Sequence, residues 1–207
     1  MSTADRRSLI VDAAIDLIAT KGIRALTHRA IDTVLDLPTG SASYYFRTKR
    51  ALIEAIADRI TSRSRADFRA AHFADAQLND LDPAAERTAA APLDSSDVAR
   101  AIATWLDGLL AQRRHHLIVR HALIIDLLAD PDLHTRLVQS LFSVDRARNL
   151  FQAMDFPSPD AAAANFIAVI EGAVFDRFAG ARTRLPAGTP ESVDQLTALL
   201  SPYLARP

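Results

Sequence analysis

The chain contains no cysteine, which excludes a disulfide framework and any thiolate metal site and suits a reducing cytoplasm. No run approaches the roughly 20 apolar residues that a membrane span needs. The stretch from Met1 to Ala19 is charged and amphipathic, without the uninterrupted apolar core of a signal peptide. A cytoplasmic protein with no membrane partner is expected. No alternating apolar–polar run marks a strand, and no segment repeats. Neither His-Glu-x-x-His nor Gly-x-Ser-x-Gly occurs. The group His115, His116, His121 and Asp126 does not set His116 and His121 cleanly on one helix face. The expectation is no metal, no cofactor, no catalytic residue and no enzyme.

What is present is globular: 207 residues, 49% apolar and 24% charged, enough for one or two domains with a sizeable core. The net charge of −1 hides an asymmetry. Residues 1–69 hold 12 of the 24 Lys and Arg but 8 of the 25 Asp and Glu, a net of +4, which leaves −5 for the remainder. A basic end that meets polyanions and an acidic end that does not is the pattern implied.

Apolar residues recur at helical spacing almost throughout. Leu9, Ile10, Ala13, Ala14, Leu17 and Ile18 predict a helix over residues 4–20, closed by Lys21-Gly22. Leu52, Ile53, Ile56, Ala57 and Ile60 predict another from Thr48, a candidate N-cap, to about Phe73. Its arginines, Arg59, Arg63, Arg65 and Arg69, read as a solvated face. Residues 74–96 carry almost no large apolar residue and read as a linker or loop. Further helices are expected from Asp97 to Arg113-Arg114, over His115–Ala129 with burial on most sides, and over Asp132–Met154. Two more follow over Asp160–Gly180 and Glu191–Leu204. The fold expected is all-α with about nine helices.

Residues 26–49 are distinct. Thr27 can cap a short helix carrying Ala30, Ile31 and Val34, which stops near Asp36-Leu37-Pro38. Pro38 can open a second short helix running to about Phe46. Two short helices joined by a tight turn form a helix-turn-helix, whose second helix enters the DNA major groove. Its hydroxyls and phenols, with Arg47, Lys49 and Arg50 after it, fit that task. Spacing alone leaves open a polar αα-corner.

Residues 9–53 resemble the DNA-binding domain of TetR-family transcriptional regulators. The resemblance rests on Lys21-Gly22, Leu26-Thr27-His28-Arg29-Ala30-Ile31, Gly40, Tyr45-Phe46, Lys49 and Leu52-Ile53, ordered and gap-free over about a fifth of the chain. Two positions depart from the family pattern: Asp36 stands where glycine is usual, and Ser43 where a phosphate-contacting tyrosine is usual. Aspartate still reaches the left-handed region, so the turn is expected to persist. The resemblance implies a helix-turn-helix domain over 1–47, a connecting helix over 48–73, the linker over 74–96, and a helical effector-binding and dimerisation domain over 97–207. By it, His28, Thr39, Ser41 and Tyr45 approach base edges, while Tyr44 and Lys49 meet the DNA backbone. Thr27 and Arg29 meet phosphate at the start of the first motif helix, and Ile31, Leu37 and Phe46 are core. It further implies a homodimer on a palindromic operator, built on the last two helices, where Ala161–Ala164, Ala168, Gly172 and Ala173 permit close approach. A small-molecule effector is expected in a pocket with a few polar contacts, for which Trp105, Arg120, His121, Phe142, Phe166 and Phe175 are candidates. The function expected is that of a ligand-responsive repressor. The alternative is an all-α ligand-binding protein or enzyme with a vestigial helix-turn-helix.

Overall fold

The computed structural model describes residues 3–70 and 94–205. Among them are ten α-helices, one 3-10 turn and no strand. They are α1 (Thr3–Lys21), α2 (His28–Val34), α3 (Ser41–Tyr45), α4 (Lys49–Ala70), α5 (Ser95–Gln112), α6 (Arg114–Asp126), α7 (Pro131–Val138), α8 (Val144–Ala153), α9 (Pro159–Ala179) and α10 (Pro190–Leu204), with the 3-10 turn at Ile23–Ala25. The linker expected over 74–96 lies, as far as residue 93, outside the described residues. Its last positions belong to the start of α5, where Asp94 caps the helix by accepting the Ser96 amide at 2.7 Å.

The helices fall into two compact units. The first takes the described residues up to Arg65 together with His115–Leu141. Its core is one apolar cluster in which Ile10, Ile18, Ile31, Phe46, Leu52 and Ile56 from α1–α4 and the loop after α3 are joined by Val119, Leu123, Leu133 and Leu137 from α6 and α7. Fully burying each such side chain contributes roughly 1.5–3 kcal/mol, so α6 and α7 are integral to this core. Two ion pairs, Arg50 with Asp130 and Arg136 with Asp58, add to them, with a hydrogen bond between His115 Nδ1 and the Asp16 carboxylate at 2.7 Å.

The second unit takes the described residues from Ala66 to Arg114 and from Phe142 onward. In it α5 packs along α10 and α8 along α9. Asp107, 5% exposed on α5, organises the loop before α10. Its carboxylate accepts the Gly188 amide at 3.0 Å and the Ser192 hydroxyl at 2.5 Å. Ser192 Oγ in turn accepts from Arg177 Nη1 of α9 at 2.7 Å, and Arg177 Nη2 donates to the Leu185 carbonyl at 2.9 Å. Burial pulls the Arg177 guanidinium below its usual pKa, and the nearby Asp107 charge opposes that shift. The bonds to Nη1 and Nη2 and the nearby carboxylate offset the cost of burying this charge, while Nε is buried without a hydrogen-bond partner.

Three expectations are corrected. The single helix expected over Asp132–Met154 is two, α7 and α8. Ser140 Oγ bonds the Leu137 carbonyl at 2.6 Å, and the Arg120 guanidinium takes the carbonyls of Leu137 and Val138. With its last carbonyls occupied, α7 stops, and Ser143 caps α8 by accepting the Arg146 amide at 3.3 Å. The helix starting at Arg114 ends at Asp126, short of Ala129, with Leu117, Val119, Arg120 and Leu123 buried and Ile125 66% exposed in its last turn. The third correction, at Pro38, belongs to the motif described next.

Candidate nucleic-acid interface

Thr27 opens α2 as its N-cap, its hydroxyl accepting the Ala30 amide at 3.1 Å. The helix closes on a left-handed residue: Asp36 has φ 50, its amide donates to the Thr33 carbonyl at 3.4 Å, and the Leu37 amide reaches the Asp32 carbonyl at 2.8 Å. This pair of bonds is the Schellman arrangement, normally completed by glycine. Aspartate fills the position here, so the turn persists as expected.

Pro38 does not begin the second motif helix. Its carbonyl accepts the Ser41 amide at 3.0 Å, Gly40 is left-handed with φ 94, and α3 starts only at Ser41. The start is set by Asp32 of α2, a residue the sequence reading passed over. Its carboxylate, 3% exposed, accepts the Gly40 amide at 2.8 Å and the Ala42 amide at 2.7 Å. At the other end Arg7 of α1 donates through Nη1 to the Tyr45 carbonyl at 2.6 Å, with its guanidinium carbon 4.3 Å from the centre of the Phe46 ring. The negative group at the amino end and the positive group at the carboxyl end both complement the helix dipole.

Around this braced helix the expected contact residues take different stations. Thr27, Arg29, Thr39, Tyr44 and Lys49 are exposed, Tyr44 at 80%. Ser41 is half-buried, its hydroxyl bonded to the Pro38 carbonyl at 2.6 Å. Tyr45 is also half-buried, packed on the core with its ring edge-to-face with Tyr44 at 5.3 Å. Tyr44 therefore projects while Tyr45 braces it. His28 is half-buried, with Nε2 enclosed and without a hydrogen-bond partner. Of the three cations after α3, Arg50 is paired with Glu54 at 3.1 Å and with Asp130, whereas Arg47 and Lys49 are exposed. Phe46 and Ile31 are core, and Leu37 is only half-buried. Arg59, expected on a solvated face, bonds Asp12 at 3.1 Å.

Residues 10–56 match the family model for bacterial regulatory proteins of the tetR family, and residues 93–204 match the tetracyclin repressor-like C-terminal domain. The second match alone spans more than half of the sequence. The chain belongs to the TetR family. It is similar to a TetR-family member from Streptomyces coelicolor A3 at 26% identity, over 95% of this chain and 98% of that one, with a TM-score of 0.65. It is similar at 25% identity to the multidrug binding protein EbrR, solved with malachite green, over 95% and 98% of the two chains with a TM-score of 0.62. A transcriptional regulator from Rhodococcus sp. Rha1 shares the fold at 16% identity, over 96% and 93%, with a TM-score of 0.68. No curated protein matches the chain significantly.

This TetR-family regulator distributes the six effector candidates over both units. Trp105 and Phe142 of the second unit meet edge-to-face at 5.9 Å, and Phe166, 3% exposed, packs against Phe151 at 5.5 Å. Phe175 is 44% exposed on α9, 5.6 Å from Phe178. In the first unit Arg120 is 1% exposed, its Nε shared between the Leu137 carbonyl and Ser140 Oγ at 3.1 Å each and its Nη2 on the Val138 carbonyl at 2.8 Å. His121 Nδ1 lies 2.9 Å from the Leu117 carbonyl. Among the described residues no group of three His, Asp or Glu side chains is placed to hold a metal ion, and no helix is long and apolar enough to cross a membrane. Asp32 and Arg7 escaped the sequence reading because their partners lie 8 to 10 and 38 residues away. No local pattern marks such pairs.

Proposed function

We propose that this TetR-family regulator is a cytoplasmic, non-enzymatic repressor that binds a palindromic operator as a homodimer and is released by a small-molecule effector. The observation that carries the reading is the motif itself. Thr39 and Tyr44 stand exposed on and just before α3, flanked by Arg29, Arg47 and Lys49, on a frame whose core residues are fully buried. Thr39, Ser41 and Tyr44 supply groups for base edges, and Thr27, Arg29 and Lys49 supply phosphate contacts. Tyr45 and His28 are assigned supporting contacts at the edge of that surface.

A dimer is supported by α9, where Ala161, Ala164, Ala168, Gly172 and Phe175 form one exposed stripe. A Cβ added at Gly172 would meet nothing within 4 Å, so that face has room for a partner helix. Phe175 belongs to this stripe by position, which favours a dimer contact over an effector contact. Effector response is supported by the aromatic side chains of the second unit, where Trp105 meets Phe142 edge-to-face at 5.9 Å and Phe166 meets Phe151 at 5.5 Å. The ligand must bind the two states unequally for this to work. The EbrR likeness favours an aromatic, drug-like effector, held by Trp105, Phe142 and Phe166.

Selection of duplexes from a random pool, followed by affinity against salt for the winner, tests the reading. An enriched palindrome whose affinity falls steeply with salt is expected. No enrichment, from protein refolded free of bound small molecules, would overturn it.

A further inference from the structure

We propose that Asp32 and Arg7 are positioning residues that set operator specificity by clamping α3 from both ends. The inference rests on the DNA-binding reading above. With 5 residues, α3 is far below the roughly 12–15 at which an isolated helix holds itself together. Its direction is therefore imposed by its surroundings. Ala42 and Phe46 anchor its inner side in the core and Tyr45 packs partly on it, but with one fully buried side chain within the helix, a small alanine, packing alone defines rotation about the helix axis only loosely. The two charged groups remove that freedom. Asp32 fixes where the helix starts, through the Gly40 and Ala42 amides, and Arg7 fixes where it ends, through the Tyr45 carbonyl and the Phe46 ring. Charge-assisted bonds of this kind are shorter and about twice as strong as neutral ones. The side chains that meet bases ride on α3 and the turn before it, and a reading group must be held within about 0.5 Å of its productive position. Lys49 and Arg29, on other helices, grip phosphate whatever α3 does.

The clamp therefore acts on base readout and leaves backbone binding intact. Asp32→Asn removes a negative charge, and Arg7→Gln removes a positive one. An electrostatic role would move affinity in opposite directions for the two variants, since DNA is a polyanion. A positioning role moves specific affinity in the same direction for both.

The test measures affinity for the selected operator and for a scrambled duplex of equal length at two salt concentrations, with thermal melts of each variant. Each variant is expected to lose about tenfold in operator affinity, the equivalent of one lost helix cap. Scrambled-duplex affinity should move by less than about threefold and the melts should remain cooperative, because phosphate contacts alone set non-specific binding. If Asp32→Asn fails to fold, Arg7→Lys takes its place, since it keeps the charge but loses the planar stack. It is expected to reproduce the selective loss. Equal loss on both duplexes with a flatter salt slope would make Arg7 a phosphate contact and overturn the proposal, as would an unchanged ratio between the duplexes. A wild-type chain that enriches no operator overturns the repressor reading and the clamp with it. An operator bound equally well by wild type and variants overturns the clamp alone.

Discussion

Asp36 holds φ 50 between α2 and α3, a conformation that costs an L-residue on the order of 1–2 kcal/mol and aspartate somewhat less. The turn needs it, because only a left-handed residue lets the Leu37 amide reach the Asp32 carbonyl at 2.8 Å. Asp36→Gly should therefore stabilise the chain by about 0.5–1 kcal/mol, and Asp36→Val should destabilise it by more than that. Urea denaturation of the two variants checks the pair, and a glycine that destabilises would show that the aspartate side chain contributes something beyond the turn. Thr27 and Asp36 were legible from the sequence since cap and turn chemistry act within three or four residues. Asp32 was not legible: a carboxylate in the middle of a short helix looks like any solvated residue until the fold brings the Gly40 and Ala42 amides to it.

The elements follow the apolar period wherever one face is buried, so α1, α4, α5, α9 and α10 lie close to where the stripes of Ile10, Ile56, Leu106, Val174 and Leu196 put them. The period fails where a polar side chain decides the end of a helix. Leu133, Leu137, Leu141 and Val144 keep helical spacing across the break between α7 and α8, yet Arg120, 17 residues before Leu137, closes α7 by taking its last carbonyls. That same arginine looked from the sequence like an effector contact. Arg120→Met would take its donor from the Val138 carbonyl, while the Leu137 carbonyl keeps the Ser140 hydroxyl, at about 1–3 kcal/mol for a buried group left without its partner. The expected result is a loss of roughly 2–3 kcal/mol in chemical denaturation, with amide exchange rising first in α7. Loss of stability without faster exchange there would show that Arg120 supports the unit as a whole.

At the scale of the whole molecule the question is how many protomers grip the operator, and salt dependence counts them. Each phosphate neutralised contributes about 0.9 to the slope of log affinity against log salt. Lys49 is exposed at the start of α4, where Thr48 caps the Ala51 amide at 3.1 Å, and its assigned role is one phosphate per protomer. Lys49→Ala should then weaken binding about equally for all sequences and flatten the slope by about one unit per protomer, hence by about two on a palindrome held by a dimer. A decrease of about one on the full operator would mean a single protomer bound, and no decrease would remove Lys49 from the interface. Gly172→Glu separates oligomerisation from contact. It sets a charge on the exposed α9 stripe where nothing lies within 4 Å of the added Cβ, so the isolated fold tolerates it while two such helices facing each other would repel. In that background sedimentation should report a monomer, and Lys49→Ala should now cost about one unit of slope in place of two. A Gly172→Glu protein that stays dimeric and keeps the two-unit loss would move the dimer contact to another face.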